Sequence, residues 1–294
     1  MKFISKIYYW LVHTNLLIAM AAMAQCALTY LILNLPTNPY ILAIEAGSTL
    51  LLYNLSLYLS KPKNPAQSPY LRSRWVFSHM PVFWLLSFLG LLLCCWSVFH
   101  ISFYTLVFLM GIGFLSIAYA LPLIKIAGKP IQLRKIPGLK VFFIALLWSL
   151  SSVGLPVVEL WTEGKEIDWY MANYLGLVKV VFLLLCTLPF DIRDEKQDRL
   201  YHLVTIPTLL GFKKSVQLSY GIGLIHLILL CFSPYTLLIK IGMITCTMMI
   251  LILFRTVIFR QTNHYHHVYL LDLALIVQWL LVLLCLQIGD DFIG

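Results

Sequence analysis

Nine stretches of predominantly apolar residues run through this chain, at about 9–33, 41–59, 81–99, 103–121, 139–159, 169–190, 214–232, 236–254 and 269–289. Each is close to the ~20 residues that an α-helix needs to cross the hydrocarbon of a bilayer. In lipid the backbone must satisfy its own hydrogen bonds, so runs of this kind leave the helix as the one open solution. Connections between them are mostly short, with no internal repeat and no Ser/Gly-rich linker. Residues 1–294 are therefore expected to form one all-α integral membrane domain. Ala22-Met23-Ala24 followed by Cys26 resembles a signal-peptide cleavage site, but the apolar run continues to Leu33 and is too long for an h-region. The first run reads as a retained helix.

Basic residues give the orientation, because short cytoplasmic loops are enriched in Lys and Arg whatever their acidic content. With Lys2 and Lys6 inside, alternate loops hold Lys61, Lys63, Arg72 and Arg74, then Lys125, Lys129, Arg134, Lys135 and Lys140. The same side continues with Arg193, Lys196, Arg199, Lys213 and Lys214, and ends with Arg255 and Arg260. Of the 21 Lys and Arg residues, only Lys165, Lys179 and Lys240 fall elsewhere. The expectation is a bacterial inner (plasma) membrane protein with its N-terminus in the cytoplasm and its C-terminus outside. The formal charge of +9 then reflects topology and contact with anionic membrane lipids, and gives no ground for a nucleic-acid partner. All seven cysteines lie inside apolar spans without ligand-like spacing and read as packing residues.

Charged residues make up only 11% of the chain, so a cluster of them points to chemistry. Asp191, Asp194, Glu195 and Asp198 lie together in Pro-Phe-Asp-Ile-Arg-Asp-Glu-Lys-Gln-Asp. At about 100° per residue the three aspartates fall within a fan of about 60° on one helical face. Hard oxygen ligands so arranged suit Mg²⁺, which takes one or two carboxylates and completes its shell with water and phosphate oxygens. A solvated helix end of mixed charge fits the same spacing. On the cytoplasmic side the cluster sits among strongly basic loops, a pairing suited to a diphosphate held by metal on one side and by Arg or Lys on the other.

Asp191-Ile-Arg-Asp194-Glu-Lys-Gln-Asp198, followed by Thr205-Ile-Pro207 and Gly211, resembles the second aspartate-rich motif of the UbiA superfamily of intramembrane prenyltransferases. Ala118-Tyr119-Ala-Leu-Pro122-Leu with Lys125, then Arg134-Lys135 and Gly138-Leu-Lys140, is similar to that family's connection after its fourth helix. The resemblance implies a nine-transmembrane-helix bundle around a central cavity. It further implies Mg²⁺-dependent transfer of a prenyl group from a prenyl diphosphate to a lipid-soluble, often aromatic acceptor. Asp191, Asp194 and Asp198 would be the metal ligands. Asn54, Arg72, Arg74, Lys125 and Arg134 are the candidate substrate-binding residues. The family's first motif should fall at Asn54–Pro62, where Asn54 matches but Leu55, Tyr58 and Pro62 stand in place of carboxylates. Either Lys61, Lys63, Arg72 or Arg74 neutralises a phosphate directly, or the chain is a non-catalytic membrane protein of the same fold. In that alternative it binds an isoprenoid, a quinone-like lipid or a membrane partner. Phosphatidyl-alcohol transferases also use spaced aspartates, but their signature requires Gly where Glu195 follows Asp194.

Other polar residues lie deeper. Glu45 and Lys179 fall about 14 to 18 Å below the aspartate level, at ~1.5 Å per residue. Charges at such depth are usually paired or line a cavity, so the two are expected to face each other between the second and sixth spans. Asp272, one turn into the last span, either snorkels, caps or faces the cavity. Pro189 is expected to loosen the helix end before Asp191. His264, His266 and His267 read as part of a solvated interfacial loop, and Tyr8, Tyr9, Trp10, Trp161 and Trp169 as interface anchors.

Overall fold

The computed structural model describes residues 2–68, 71–121, 124–126, 129–131, 136, 138–200, 203–260 and 265–293. Helices α1 (Lys2–His13), α2 (Leu16–Ile32) and α3 (Pro39–Leu59) open the chain, and α4 (Leu71–Ser78), α5 (Met80–Val98) and α6 (Phe103–Ala120) follow. A short antiparallel hairpin, β1 (Ile124–Ile126) and β2 (Lys129–Ile131), leads to α7 (Leu139–Ser149). A π-turn, Leu150–Gly154, joins α7 to α8 (Leu155–Thr162). Then come α9 (Trp169–Leu200), α10 (Ile206–Leu210), α11 (Phe212–Cys231), α12 (Leu237–Leu253) and α13 (Leu270–Ile293).

Every one of the nine apolar runs coincides with helix, but they do not all cross in the same way. Among the described residues seven helices are long and apolar enough to span a membrane, with α7 and α8 counting as one through the π-turn. The helix Phe103–Tyr119 is apolar but shorter. The first run is not one helix: α1 and α2 meet at 84°. Asn15, at φ 61°, makes the turn in the left-handed region that a short polar side chain tolerates. Thr14 secures it by donating its hydroxyl to Trp10 O at 2.8 Å. An apolar run therefore hid a corner.

Capping fixes two of the other starts. Asn38 accepts the N–H groups of Tyr40 and Ile41 ahead of Pro39 in α3, and Ser102 accepts that of Thr105 in α6. Pro189 does not end α9, which continues through it to Leu200. At about 1.5 Å per residue the helix is ~48 Å long, longer than a hydrocarbon core ~30 Å thick requires.

Helix α2 packs against α3 and α13, and the ring continues through α12, α11, α9 and α7. The π-turn and α8 pack back against α2. Outside the ring, α5 lies so close to α3 that a Cβ added at Gly47 would meet Cys94 Sγ at 2.7 Å and Gly90 O at 2.9 Å. Trp84, Leu85, Phe88 and Trp96 of α5 point outward, as lipid-facing positions do.

The deep polar residues form a network that differs from the expected ion pair. No ion pair joins Glu45 and Lys179. Lys179, 1% exposed, donates instead to Gln25 O, to Thr29 Oγ1 at 2.7 Å and to Ser152 Oγ at 3.3 Å. The π-turn presents Ser152 for this role, and its carbonyl accepts from Thr29 at 2.6 Å. Buried polar groups so bonded hold three elements together.

Candidate functional site

Near the aspartate end of the bundle, α2, α3, α7, α9 and α13 enclose a cavity of about 400 Å³. Its walls are apolar, with Leu17 and Ile18, Tyr53 and Leu57, Trp148, Leu183 and Leu275 among them. Its polar lining comes from Asn15, Ser56, Ser60, Arg72, Lys140, Asp191, Arg193, Asp194, Tyr269 and Asp272. Such a chamber suits a molecule with an anionic head and an apolar tail.

The helical spacing of α9 brings Asp191 and Asp194 to the cavity, and each meets a protein cation. Lys140, entering from the first turn of α7, bridges Asp191 Oδ1 at 2.7 Å and Asp198 Oδ2 at 3.5 Å. Asp194 is gripped by both faces of the Arg193 fork, Nε and Nη2 each at 2.9 Å. Asp198 is buried and does not line the cavity. Farther along, Arg199 pairs with Glu195 at 2.9 Å, one turn apart.

Opposite this group stands Arg72, delivered by α4. Its Nη1 donates to Tyr269 OH at 3.3 Å and its Nη2 to Asn15 Oδ1. Asn15 Nδ2 in turn donates to Asn54 Oδ1 at 2.8 Å, and Asn54 Nδ2 to Ser87 Oγ at 2.9 Å. Tyr269 lies under both guanidinium groups, 5.7 Å from Arg72 Cζ and 5.3 Å from Arg193 Cζ. Such cation–π contacts hold the two cations on a shared aromatic plate.

No sequence-family profile and no curated protein matches this chain. Solved structures do. A UbiA homolog from Archaeoglobus fulgidus bound to GPP and Mg²⁺ superposes with a TM-score of 0.63 at 14% identity, over 94% of this chain and 98% of that one. The same organism's homolog bound to DMAPP and Mg²⁺ gives 0.58 at 15% identity, over 92% and 98%. A further structure of that homolog gives 0.58 at 14%, over 92% and 94%. The chain has the UbiA fold.

Within the UbiA fold the sequence-derived candidates separate. Asp191, Asp194 and Arg72 reach the cavity, and Asp272 faces it rather than snorkelling. Arg74 is exposed and lies outside the lining. Lys125 sits in β1 opposite Pro130; its side chain, and all of Arg134 and His264, lie outside the described residues. Asn54 is 3% exposed and faces Asn15 and Ser87 instead of the cavity. The α3 residues that do face it are Tyr53, Ser56, Leu57 and Ser60, while Leu55 and Tyr58 are turned outward. Sequence reasoning missed Asn15, whose polar side chain inside an apolar run was the available signal, and the bridging role of Lys140.

Among the described residues no group of three or more His, Cys, Asp or Glu is arranged to hold a metal ion. Two carboxylates are nonetheless enough for Mg²⁺ when phosphate and water complete the shell. Asp191 and Asp194 line the cavity and supply such a pair, so their chemistry fits one ion accompanied by an anionic ligand.

Proposed function

We propose that this protein is a membrane prenyltransferase that moves a prenyl group from a prenyl diphosphate to a lipid-soluble acceptor. The observation that carries the reading is the cavity itself, apolar along its walls and charged at the level of Arg72, Asp191 and Asp194. The diphosphate lies at that charged level, on the cytoplasmic side, and the isoprenoid tail lies along Leu17, Ile18, Trp148, Leu183 and Leu275. Formally, among the described residues at the cavity, Asp191, Asp194, Asp198 and Asp272 offset Lys140, Arg72 and Arg193. When bound at Asp191 and Asp194, Mg²⁺ supplies positive charge and stabilises the departing group.

The allylic carbon–oxygen bond breaks with its electron pair leaving on the diphosphate. Arg72 donates N–H groups to the oxygens on which charge accumulates, and Ser56 and Ser60 donate hydroxyls, as preorganised donors do in a water-poor site. Tyr53 and Trp148, which line the cavity, offer aromatic faces to the cationic carbon. The acceptor then attacks that carbon and releases its proton.

Incubation with labelled prenyl diphosphates, Mg²⁺ and membrane extract tests the reading. Mg²⁺-dependent product from wild type, lost in Asp191→Asn and Asp194→Asn, is expected; no product from any diphosphate refutes transfer. Serines in place of carboxylates on the cavity face of α3 favour one other reading, a non-catalytic binder of an isoprenoid or quinone-like lipid. Saturable isoprenoid binding without product would decide for it.

A further inference from the structure

Among the described residues three cationic side chains line the cavity, and two of them are neutralised. Lys140 holds Asp191 and Asp198, and Arg193 holds Asp194. Arg72 makes no ion pair among the described residues, Asp272 included. Its Nε is buried and has no hydrogen-bond partner, an arrangement that costs stability unless a ligand completes it. The rest of the guanidinium is immobilised. Tyr269 and Asn15 each take one nitrogen, and Asn15 is itself held by Asn54, which is held by Ser87. That chain of contacts crosses from α5 through α3 and the α1–α2 corner to α4. Facing the cavity from α3 are Tyr53, Ser56, Leu57 and Ser60, and no carboxylate.

Resting on the prenyl-diphosphate reading above, we infer that Arg72 is a fixed cationic jaw that stands in for a second metal ion. Asn54 and Asn15 act as its positioning residues, so diphosphate binds with one divalent cation per chain. The single ion sits on the α9 side with Asp191 and Asp194. On the α3 side, where carboxylates would recruit another ion, Arg72 meets the phosphate oxygens directly through its guanidinium N–H groups. A guanidinium suits this role because its donors lie in a rigid plane matched to phosphate. Asn54, placed by sequence on the substrate, acts on it only through Asn15 and Arg72.

The test uses the full-length protein in lipid nanodiscs with inorganic diphosphate as ligand and Mn²⁺ as metal probe. Electron paramagnetic resonance counts Mn²⁺ bound per chain at saturating diphosphate, and calorimetry gives the diphosphate affinity. One Mn²⁺ per chain is expected. Arg72→Gln weakens diphosphate binding about tenfold or more, the loss expected for a charged hydrogen bond, without changing the Mn²⁺ count. Arg72→Lys, which keeps charge but not the fork, falls between the two. Asn54→Ala weakens diphosphate binding several-fold. Asn15→Gly does the same; it removes the side chain while tolerating the φ of 61° at that corner, and so guards against a folding defect in the Asn54 variant. Two Mn²⁺ per chain, or Arg72→Gln and Asn15→Gly binding like wild type, overturns the inference and leaves the prenyl-diphosphate reading standing. Wild type that binds no diphosphate with Mn²⁺ present overturns both.

Discussion

Replacing Lys140 with Met removes the cation shared by Asp191 and Asp198 while keeping most of the length and volume of the side chain. The ammonium lies 2.7 Å from Asp191 and 3.5 Å from Asp198. With an effective dielectric constant of about 20, Coulomb's law gives gross attractions of about 6 and 5 kcal/mol. Most of that is offset by the cost of desolvating the three groups. Truncating one partner of a buried pair nevertheless costs ~3–5 kcal/mol, because the remaining charges stay buried. Lys140 is 22% exposed at its side chain, which places the expected loss near the lower end, ~3 kcal/mol. The assay is equilibrium unfolding in mixed micelles, followed by circular dichroism without divalent metal, for Lys140→Met, Asp191→Asn and the double variant. A coupling of about 1.5–2 kcal/mol is expected, since groups in direct contact do not add independently. Added Mg²⁺ recovers part of the Lys140→Met loss, because the substitution frees two carboxylates. Additive effects within ~0.5 kcal/mol, with no Mg²⁺ recovery, would refute the bridge.

Two further outcomes follow from particular contacts. Tyr269→Leu removes the plate beneath Arg72 and Arg193 and the hydroxyl that Arg72 bonds, and is expected to weaken diphosphate binding more than Tyr269→Phe, which keeps the plate; calorimetry distinguishes them. Lys179→Met strips three donors from the network around Gln25, Thr29 and Ser152 and lies outside the cavity lining. It is expected to lower stability by about 1–3 kcal/mol while leaving diphosphate affinity unchanged, a contrast that calorimetry and unfolding measured together will show.

The helical architecture was legible because lipid permits few alternatives: each apolar run became helix. Asp191 and Asp194 were legible for the same kind of reason, since i, i+3 spacing fixes a shared face whatever surrounds it. Asn15 was not, because hydrophobicity averaged over a span cannot register one residue that bends the backbone. The face of α3 was misassigned for a related reason: Asn54 matched a motif, but rotation about the helix axis, set by packing on α2 and α5, turned Ser56 and Ser60 to the cavity instead. Arg72 and Tyr269 are 197 residues apart, and no local pattern encodes such a meeting. Glu45 and Lys179 are both buried, but the π-turn offered Lys179 a hydroxyl and a carbonyl in α2 offered it another acceptor, so it did not need the carboxylate.

The most direct test of the account is a structure of the protein with geranyl diphosphate and Mn²⁺, with the metal located by its anomalous scattering. Expected are the diphosphate between Arg72 and the Asp191–Asp194 edge of α9, a single Mn²⁺ peak on the aspartate side, and the prenyl tail among Ile18, Trp148 and Leu183. A diphosphate bound elsewhere, or a cavity holding only lipid at saturating ligand and metal, would contradict the account.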